Sequence, residues 1–339
     1  RLLLNSGVQS AGPICGVQVL GGSNASLPTL IRAVPLPNTD FPSPPNTGSF
    51  FAGIVDVSRQ VLWLVPYNGF VKHFVRISIT AADPAGSATL STVSVPASLG
   101  VSPRSSIMFN GAAFDGNQTI ILLPLRVGNY MAAFDTVADT LTKFAIASNI
   151  MGDSANDMMF GGLVRAAPDQ VWLIPARENK VATFNISHAG MGEARFLPFV
   201  KYPVRIRVHG GARFFSAAVN DDVTVDCSGN ASSIWFVPAA AAGVMRVRAR
   251  APHQMTVYTD WPAGFAVTPP TGTAFTTGVF DTRNNAVWFT PLNANLILRV
   301  DATSGAMQGY LLGITTLPLI RAAFDGRDLW VMGFDSLFK

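Results

Sequence analysis

Between Phe275 and Tyr310 the chain carries the unit that most narrows what it can fold into, FTTGVFDTRNNAVWFTPLNANLILRVDATSGAMQGY. A run with a small third residue (Thr277) leads to a turn at Asp281–Asn285, and Val287–Thr290 then reads as a strand stopped by Pro291. Asn293–Asn295 is a second turn, LILRV is a third strand ending at Asp301, and Ser304–Gly305 turns the chain into a fourth run. β-Branched and aromatic residues suit the strands, while Asx residues and glycine supply the turn conformations. The spacing predicts an antiparallel meander of four short strands.

The same unit recurs. Phe51, Phe109, Phe160, Phe215 and Ile320 each open a run, an Asp follows (Asp56, Asp115, Asp169, Asp221, Asp325), and then come Trp63, Ile121, Trp172, Trp235 and Trp330. In Phe275 and Trp288 the two slots stand 13 residues apart; elsewhere the offset is 12 in three copies and 10 in the last. The copy at Phe215 has an offset of 20, an insertion that holds Cys227 and Asn230. Five of the six tryptophans share one slot, and Pro66, Pro124, Pro175, Pro238 and Pro291 follow it three residues on. Successive slots lie 58, 51, 63, 53 and 42 residues apart, near the period of about 40–50 residues expected of propeller blades.

A lone meander cannot cover both its faces, but meanders packed radially cover each other. The expected fold is therefore all-β: a six-bladed β-propeller of four-stranded antiparallel blades in one domain, residues 1–339, with blades starting near 50, 108, 159, 214, 274 and 319. The repeat core is expected at the twelve Phe, Trp and Ile slots named above. Small residues two places on (Gly53, Gly111, Gly162, Ala217, Thr277, Ala322) suit a crowded innermost strand. Residues 1–49 lack the repeat and run through strand-like pieces into a Pro-rich passage, and the sixth copy leaves only nine residues after Trp330. The economical reading has N-terminal strands complete the last blade, because an open ring would expose two sheet edges. A seventh blade built from residues 1–49 is the main alternative, and donation of those strands to a neighbouring molecule is another.

Charged residues make up 13% of the chain, against about 25% in typical soluble domains. No stretch of apolar residues is long enough to span a membrane, and no signal-peptide pattern is seen. The net charge of +4 is scattered, with no nucleic-acid motif beside it. Such a surface needs cover, and four N-x-S/T sequons offer it: Asn24, Asn117, Asn185 and Asn230. Asn117 and Asn230 fall in the turn between the first two strands of their copies, and Asn185 just after a third strand. These placements favour a secreted, extracellular or cell-surface chain carrying N-linked glycans. Cys15 and Cys227 could then form a disulfide, closing a loop of about 210 residues worth up to roughly 5 kcal/mol; two buried thiols or pairing between subunits are the alternatives.

Two stretches alternate apolar and basic residues, Val204–His209 and Met245–Arg250. Period two sets Arg205 and Arg207 with His209 on one face, and Arg246, Arg248 and Arg250 on another. They read as outer strands, either a basic binding face for acidic groups or edges defended by charge. An Asp after the first strand of each copy reads first as a cap on its own hairpin. Arg165 and Arg321, near the inner strands, are the charged residues closest to a channel. The four histidines show no metal-ligand spacing, and no G-x-S-x-G, H-E-x-x-H or phosphate loop occurs.

The unit resembles β-propeller repeats of the kelch, NHL and YVTN kind across nearly the whole chain. It lacks the Gly-Gly doublet of kelch and the terminal Trp-Asp of WD-type repeats. Its Trp288, Pro291, Asn295, Asp301, Gly305 pattern looks more like uncharacterised propeller repeats in predicted surface proteins of protists and bacteria. That resemblance implies a fold and not an activity. Asp325 to Trp330 also has the spacing of a sialidase Asp-box, with Ala323 in place of Ser and Arg327 in place of Gly, but Glu178 and Glu193 are the only glutamates.

The expected function is that of a structural or adhesive glycoprotein, a repeating subunit of an extracellular assembly or filament. It would work through protein–protein contacts with its own copies or other extracellular proteins, with no catalytic residue, cofactor or metal. A glycan- or peptide-binding propeller and a propeller hydrolase of sialidase or lactonase type are the alternatives.

Overall fold

The structure, a computed structural model, describes residues between Phe50 and Phe338; residues 1–49, 79–88, 97–108, 146–159, 197–213, 221–232 and 312–318, with shorter pieces of several loops, lie outside the described residues. Asn24, Asn117, Asn230, Cys15, Cys227, Arg205, Arg207, Arg250, Asp221 and Asp325 fall there. The described residues form strands and turns only, in six antiparallel sheets.

The first sheet runs in order β1 (Phe50–Asp56), β2 (Val61–Pro66), β3 (His73–Ser78), β4 (Thr89–Ser94). The second follows with β5 (Phe109–Phe114), β6 (Thr119–Pro124), β7 (Tyr130–Asp135) and β8 (Thr140–Ala145). In the third, β9 (Phe160–Ala167), β10 (Gln170–Pro175) and β11 (Ala182–Ser187) are joined by two short pieces, β12 (Gly190–Met191) and β13 (Arg195–Phe196), which both pair with β11. The fourth is β14 (Phe214–Asn220), β15 (Ser233–Pro238), β16 (Val244–Arg248), β17 (Met255–Tyr258), and the fifth β18 (Phe275–Asp281), β19 (Ala286–Pro291), β20 (Leu296–Asp301), β21 (Met307–Leu311). The sixth holds β22 (Leu319–Phe324), β23 (Leu329–Gly333) and β24 (Leu337–Phe338).

The proline after each Trp slot does more than stop a strand. Pro66, Pro124, Pro175, Pro238 and Pro291 are the last residues of their strands, and each pairs with the first residue of the strand before it. A register shift follows at once in all five, and the sixth sheet repeats it at Leu319 opposite Gly333. Because Gly333 makes the same shift, the bulge belongs to the repeat, and it gives a position where proline, which has no N–H for the ladder, is tolerated. The register also corrects the alignment read from the sequence. Phe50, Phe214 and Leu319 take the paired position, one residue before Phe51, Phe215 and Ile320; the side chains of those three, and that of Trp330, lie outside the described residues.

The chain packs as two compact units. One (1–127 and 132–143) carries the first two sheets apart from residues 130–131 and 144–145, and the other (128–131 and 144–339) the rest. In the first unit, Trp63 is fully buried and meets the Phe134 ring edge-on at 5.0 Å, while Phe74 stacks on Phe134 at 4.5 Å. In the second, β15 is buried along its whole length. Its even residues Ile234 and Phe236 join Val164, Trp172, Ile174, Met245 and Val247 in one cluster. Its odd residues Trp235 and Val237 join Phe275, Phe289, Leu298 and Val300 in the next. Period-two alternation thus sends one strand into two cores, which is why these strands read as continuous apolar runs. Phe109, Ile121, Phe160 and Phe275 are buried as well.

A rule emerges from these contacts: the Trp of one sheet is covered by the third strand of the next. Phe134 on β7 covers Trp63, Met245 and Val247 on β16 lie with Trp172, and Leu298 and Val300 on β20 lie with Trp235. Trp288 departs from it and is half-buried. The third strand of the following sheet, β24, has only two described residues.

Candidate functional site

The charged residues of the repeat are the natural candidates for chemistry, and the structure shows what they touch. Asp281 is buried at the end of β18. Its Oδ1 accepts the Arg283 and Asn284 amides at 3.1 and 3.0 Å, and its Oδ2 accepts Asn284 Nδ2 at 2.8 Å and the Trp288 indole N–H at 3.2 Å. Asp56, equally buried, accepts the Arg59 amide and guanidinium, both at 3.1 Å. Asp115 Oδ1 accepts the Gln118 and Thr119 amides at 2.9 Å. These carboxylates cap their own hairpins, which satisfies the turn's backbone donors.

A second set, which the sequence reading left unremarked as caps, closes the third hairpin. Asp135 Oδ1 accepts the Val137 and Ala138 amides. Asp301 Oδ1 accepts the Thr303 and Ser304 amides and the Ser304 hydroxyl, and these bonds, the Ser304 ones foremost, hold its carboxyl below the usual carboxylate range. In three of these turns the fifth residue takes a left-handed backbone, φ +54° at Asp139, +45° at Asn285 and +77° at Gly305, whereas in the Asp115 turn the fifth residue, Thr119, already begins β6. D-x-x-x-[DNG] is therefore the signature of those three hairpins, legible once the left-handed requirement is known.

The arginines are also engaged. Arg76, Arg246 and Arg299 stand directly opposite Trp63, Trp235 and Trp288 across the second and third strands. Each guanidinium lies over its ring, 5.7, 5.4 and 6.0 Å from the centroid. Such cation–π contacts are worth about 0.5–1 kcal/mol at exposed sites. Arg246 Nε further donates to Ser233 Oγ at 2.9 Å, and its Nη1 donates to the Ala302 carbonyl at 3.0 Å, in the third hairpin of the next sheet. Arg76 Nη1 reaches Asp139, also in the next sheet's third hairpin, at 3.7 Å. With both side chains over one third exposed, that pair contributes at most about 1 kcal/mol.

This revises the basic face expected at Arg246, Arg248 and Arg250. β16 is the third strand, not an outer one, and β17 covers its far edge. Arg246 is half-buried against Trp235, while Arg248 is exposed. Arg76 and Arg299 escaped notice because no basic run surrounds them; their signal is an Arg placed 11 or 13 residues after a Trp, across one hairpin. Arg165, on β9, is half-buried and donates Nε to the Ala167 carbonyl at 3.2 Å; the Arg321 side chain is outside the described residues. Asn185 lies within β11 rather than after it, opposite Gln170 and exposed, because the third strand runs on to Ser187. Among the described residues no group of three or more His, Cys, Asp or Glu is placed to hold a metal ion, and no helix is long and apolar enough to cross a membrane.

No protein-family model matches the chain, and no curated protein matches it either. Solved structures do. A catalytically inactive variant of virginiamycin B lyase from Staphylococcus aureus with quinupristin superposes with a TM-score of 0.57 at 12% identity, over 85% of this chain and 78% of that one. The extracellular domain of a one-component system from B. thetaiotaomicron gives 0.56 at 11% identity, over 89% of this chain and 36% of that chain. Hydrazine synthase from Kuenenia stuttgartiensis gives 0.51 at 8% identity, over 84% and 74%. At these identities the likeness speaks for the fold alone. The chain is a β-propeller repeat protein.

Proposed function

We propose that the chain is a secreted or cell-surface structural or adhesive glycoprotein, a repeating subunit that works through contacts with its own copies or other extracellular proteins. One observation carries the reading. The polar residues that recur with the repeat, Asp56, Asp115, Asp135, Asp281 and Asp301 together with Arg76, Arg246 and Arg299, serve hairpins and sheet-to-sheet stacking. The repeated chemistry is architectural, which leaves the outer surface to do the work. In this reading the six sheets are the blades of one ring, closed by strands from residues 1–49 on the last blade. The sequons at Asn24, Asn117, Asn185 and Asn230 are the sites for N-linked glycans, for which the exposure of Asn185 is supporting, and Cys15 and Cys227 are candidates for a disulfide within the chain or between subunits. One of the structures similar in fold is itself an extracellular domain.

Electron microscopy of native material tests the proposal. Rods, sheets or filaments are expected, and isolated discs at every concentration overturn it. Treatment with an N-glycosidase is expected to lower the mass of the purified chain.

A further inference from the structure

The outer strands differ in what they show to solvent. β4 exposes Thr92 and Ser94, β8 exposes Thr140, Thr142 and Lys143, and β17 exposes Thr256. β21 exposes Gln308, Tyr310 and Leu311, with Tyr310 39% and Leu311 78% accessible. Those two and Val137 are the exposed large hydrophobics among the described residues. Among the same residues β21 pairs on one side only, with β20. The Tyr310 ring turns onto Trp288 of its own sheet, 5.2 Å away, so Leu311 is the apolar side chain that protrudes; an uncharged edge carrying one is a ready template for another strand, the situation most β proteins avoid with Lys, Pro or short edges.

We infer that β21 is the edge by which one copy of this chain pairs with a second copy, strand against antiparallel strand. The inference rests on the assembly reading above and gives it a surface. Charge selects the occupant. In a two-fold contact each strand meets its own reversal, so any charge on it is brought near its double. Met307–Leu311 carries none, as β4 and β17 carry none, whereas Lys143 on β8 and Arg195 on β13 do; of the uncharged outer strands, β21 is the one with exposed large apolar residues among the described residues. The absence of charge also offers nothing for a charged partner to recognise. A two-fold axis at Gly309 sets Leu311 of one copy against Met307 of the other and Tyr310 against Gln308. A Cβ at Gly309 would come within 2.6 Å of Leu296 and 3.3 Å of Pro262, so the glycine there serves the packing of its own sheet.

The test compares the full chain with Leu311→Lys and, as a control, Thr256→Lys on β17. Light scattering across a concentration series gives the mass, hydrogen exchange reports the β21 amides, and circular dichroism confirms the fold. The native chain and the Thr256→Lys chain are expected to associate alike, with the β21 amides that face away from β20 protected only as association proceeds. Leu311→Lys is expected to weaken association about ten-fold or more, which is 1.4 kcal/mol. If Leu311→Lys associates as the native chain does, this edge is not the contact and the assembly reading stands without it. If the β21 amides that face away from β20 are protected in the single chain at low concentration, the edge is already filled and the inference falls. If the native chain stays single throughout, the inference and the assembly reading fall together.

Discussion

Replacing Gly305 by Ala concentrates two separate costs at one atom. Gly305 has φ +77°, a conformation that costs an L-residue with a Cβ about 1–2 kcal/mol. The added Cβ would lie 1.8, 2.1 and 2.6 Å from Cε1, Cδ1 and Cζ of Tyr258. The ring cannot simply swing away, because it stacks on Trp235 at 5.5 Å and 17°, and Trp235 is buried. Overpacking of this sort costs about 1–3 kcal/mol. Together the two predict a loss of about 2–5 kcal/mol, felt where the fifth sheet's third hairpin meets the fourth sheet. Urea denaturation with hydrogen exchange of the β20 and β21 amides measures it, the exchange being needed because a chain of this size need not unfold in one step. Tyr258→Ala separates the contributions. In that background the steric share disappears and the backbone share stays, so the double-mutant cycle is expected to show a coupling of about 1–3 kcal/mol. A Gly305→Ala loss below about 0.5 kcal/mol, or a cycle without coupling, would refute this account of how the sheets abut.

Asp281→Ala is expected to destabilise the fifth sheet by about 2–4 kcal/mol, since it strands the Trp288 indole N–H and two turn amides; Asp281→Asn should recover part of that in the same urea titration. Trp235→Ala should cost about 3–5 kcal/mol and Trp288→Ala clearly less, following full against half burial, and equal losses in denaturation would contradict the difference in cover. Burial pushes the Tyr130 phenol up to about 12. An unfolded Tyr releases its proton near pH 10, so the Tyr130 contribution to stability should be constant below that pH and be lost as pH rises from about 10 to about 12, and the alkaline loss should be smaller in Tyr130→Phe when melting is followed against pH.

The meander, its strand ends and its hairpin caps were legible in the sequence because they are local. Trp288-to-Pro291 marks a strand and its stop, and Asp281-to-Asn285 is a turn whose donors and acceptor lie within five residues. Repetition multiplied that local signal until the propeller class followed. A one-residue register was not legible. Phe50 and Phe51 are identical side by side, and only pairing with Pro66 tells which one starts the ladder. Nor could charge patterning reveal Arg246, since an Arg on an exposed face and an Arg laid on a tryptophan look alike in a period-two run.

What sequence alone determined is the unit: strand lengths, turn chemistry and the aromatic slot, each set by interactions that span a few residues. Only the tertiary structure decided what each unit's faces meet. The same Trp slot is buried as Trp235 and half-open as Trp288, and the same kind of outer strand is polar as β4 and apolar as β21. The physical reason is that cover comes from a neighbouring sheet some fifty residues away in the chain, so a residue's fate depends on the third strand that follows it and not on its own surroundings in the sequence.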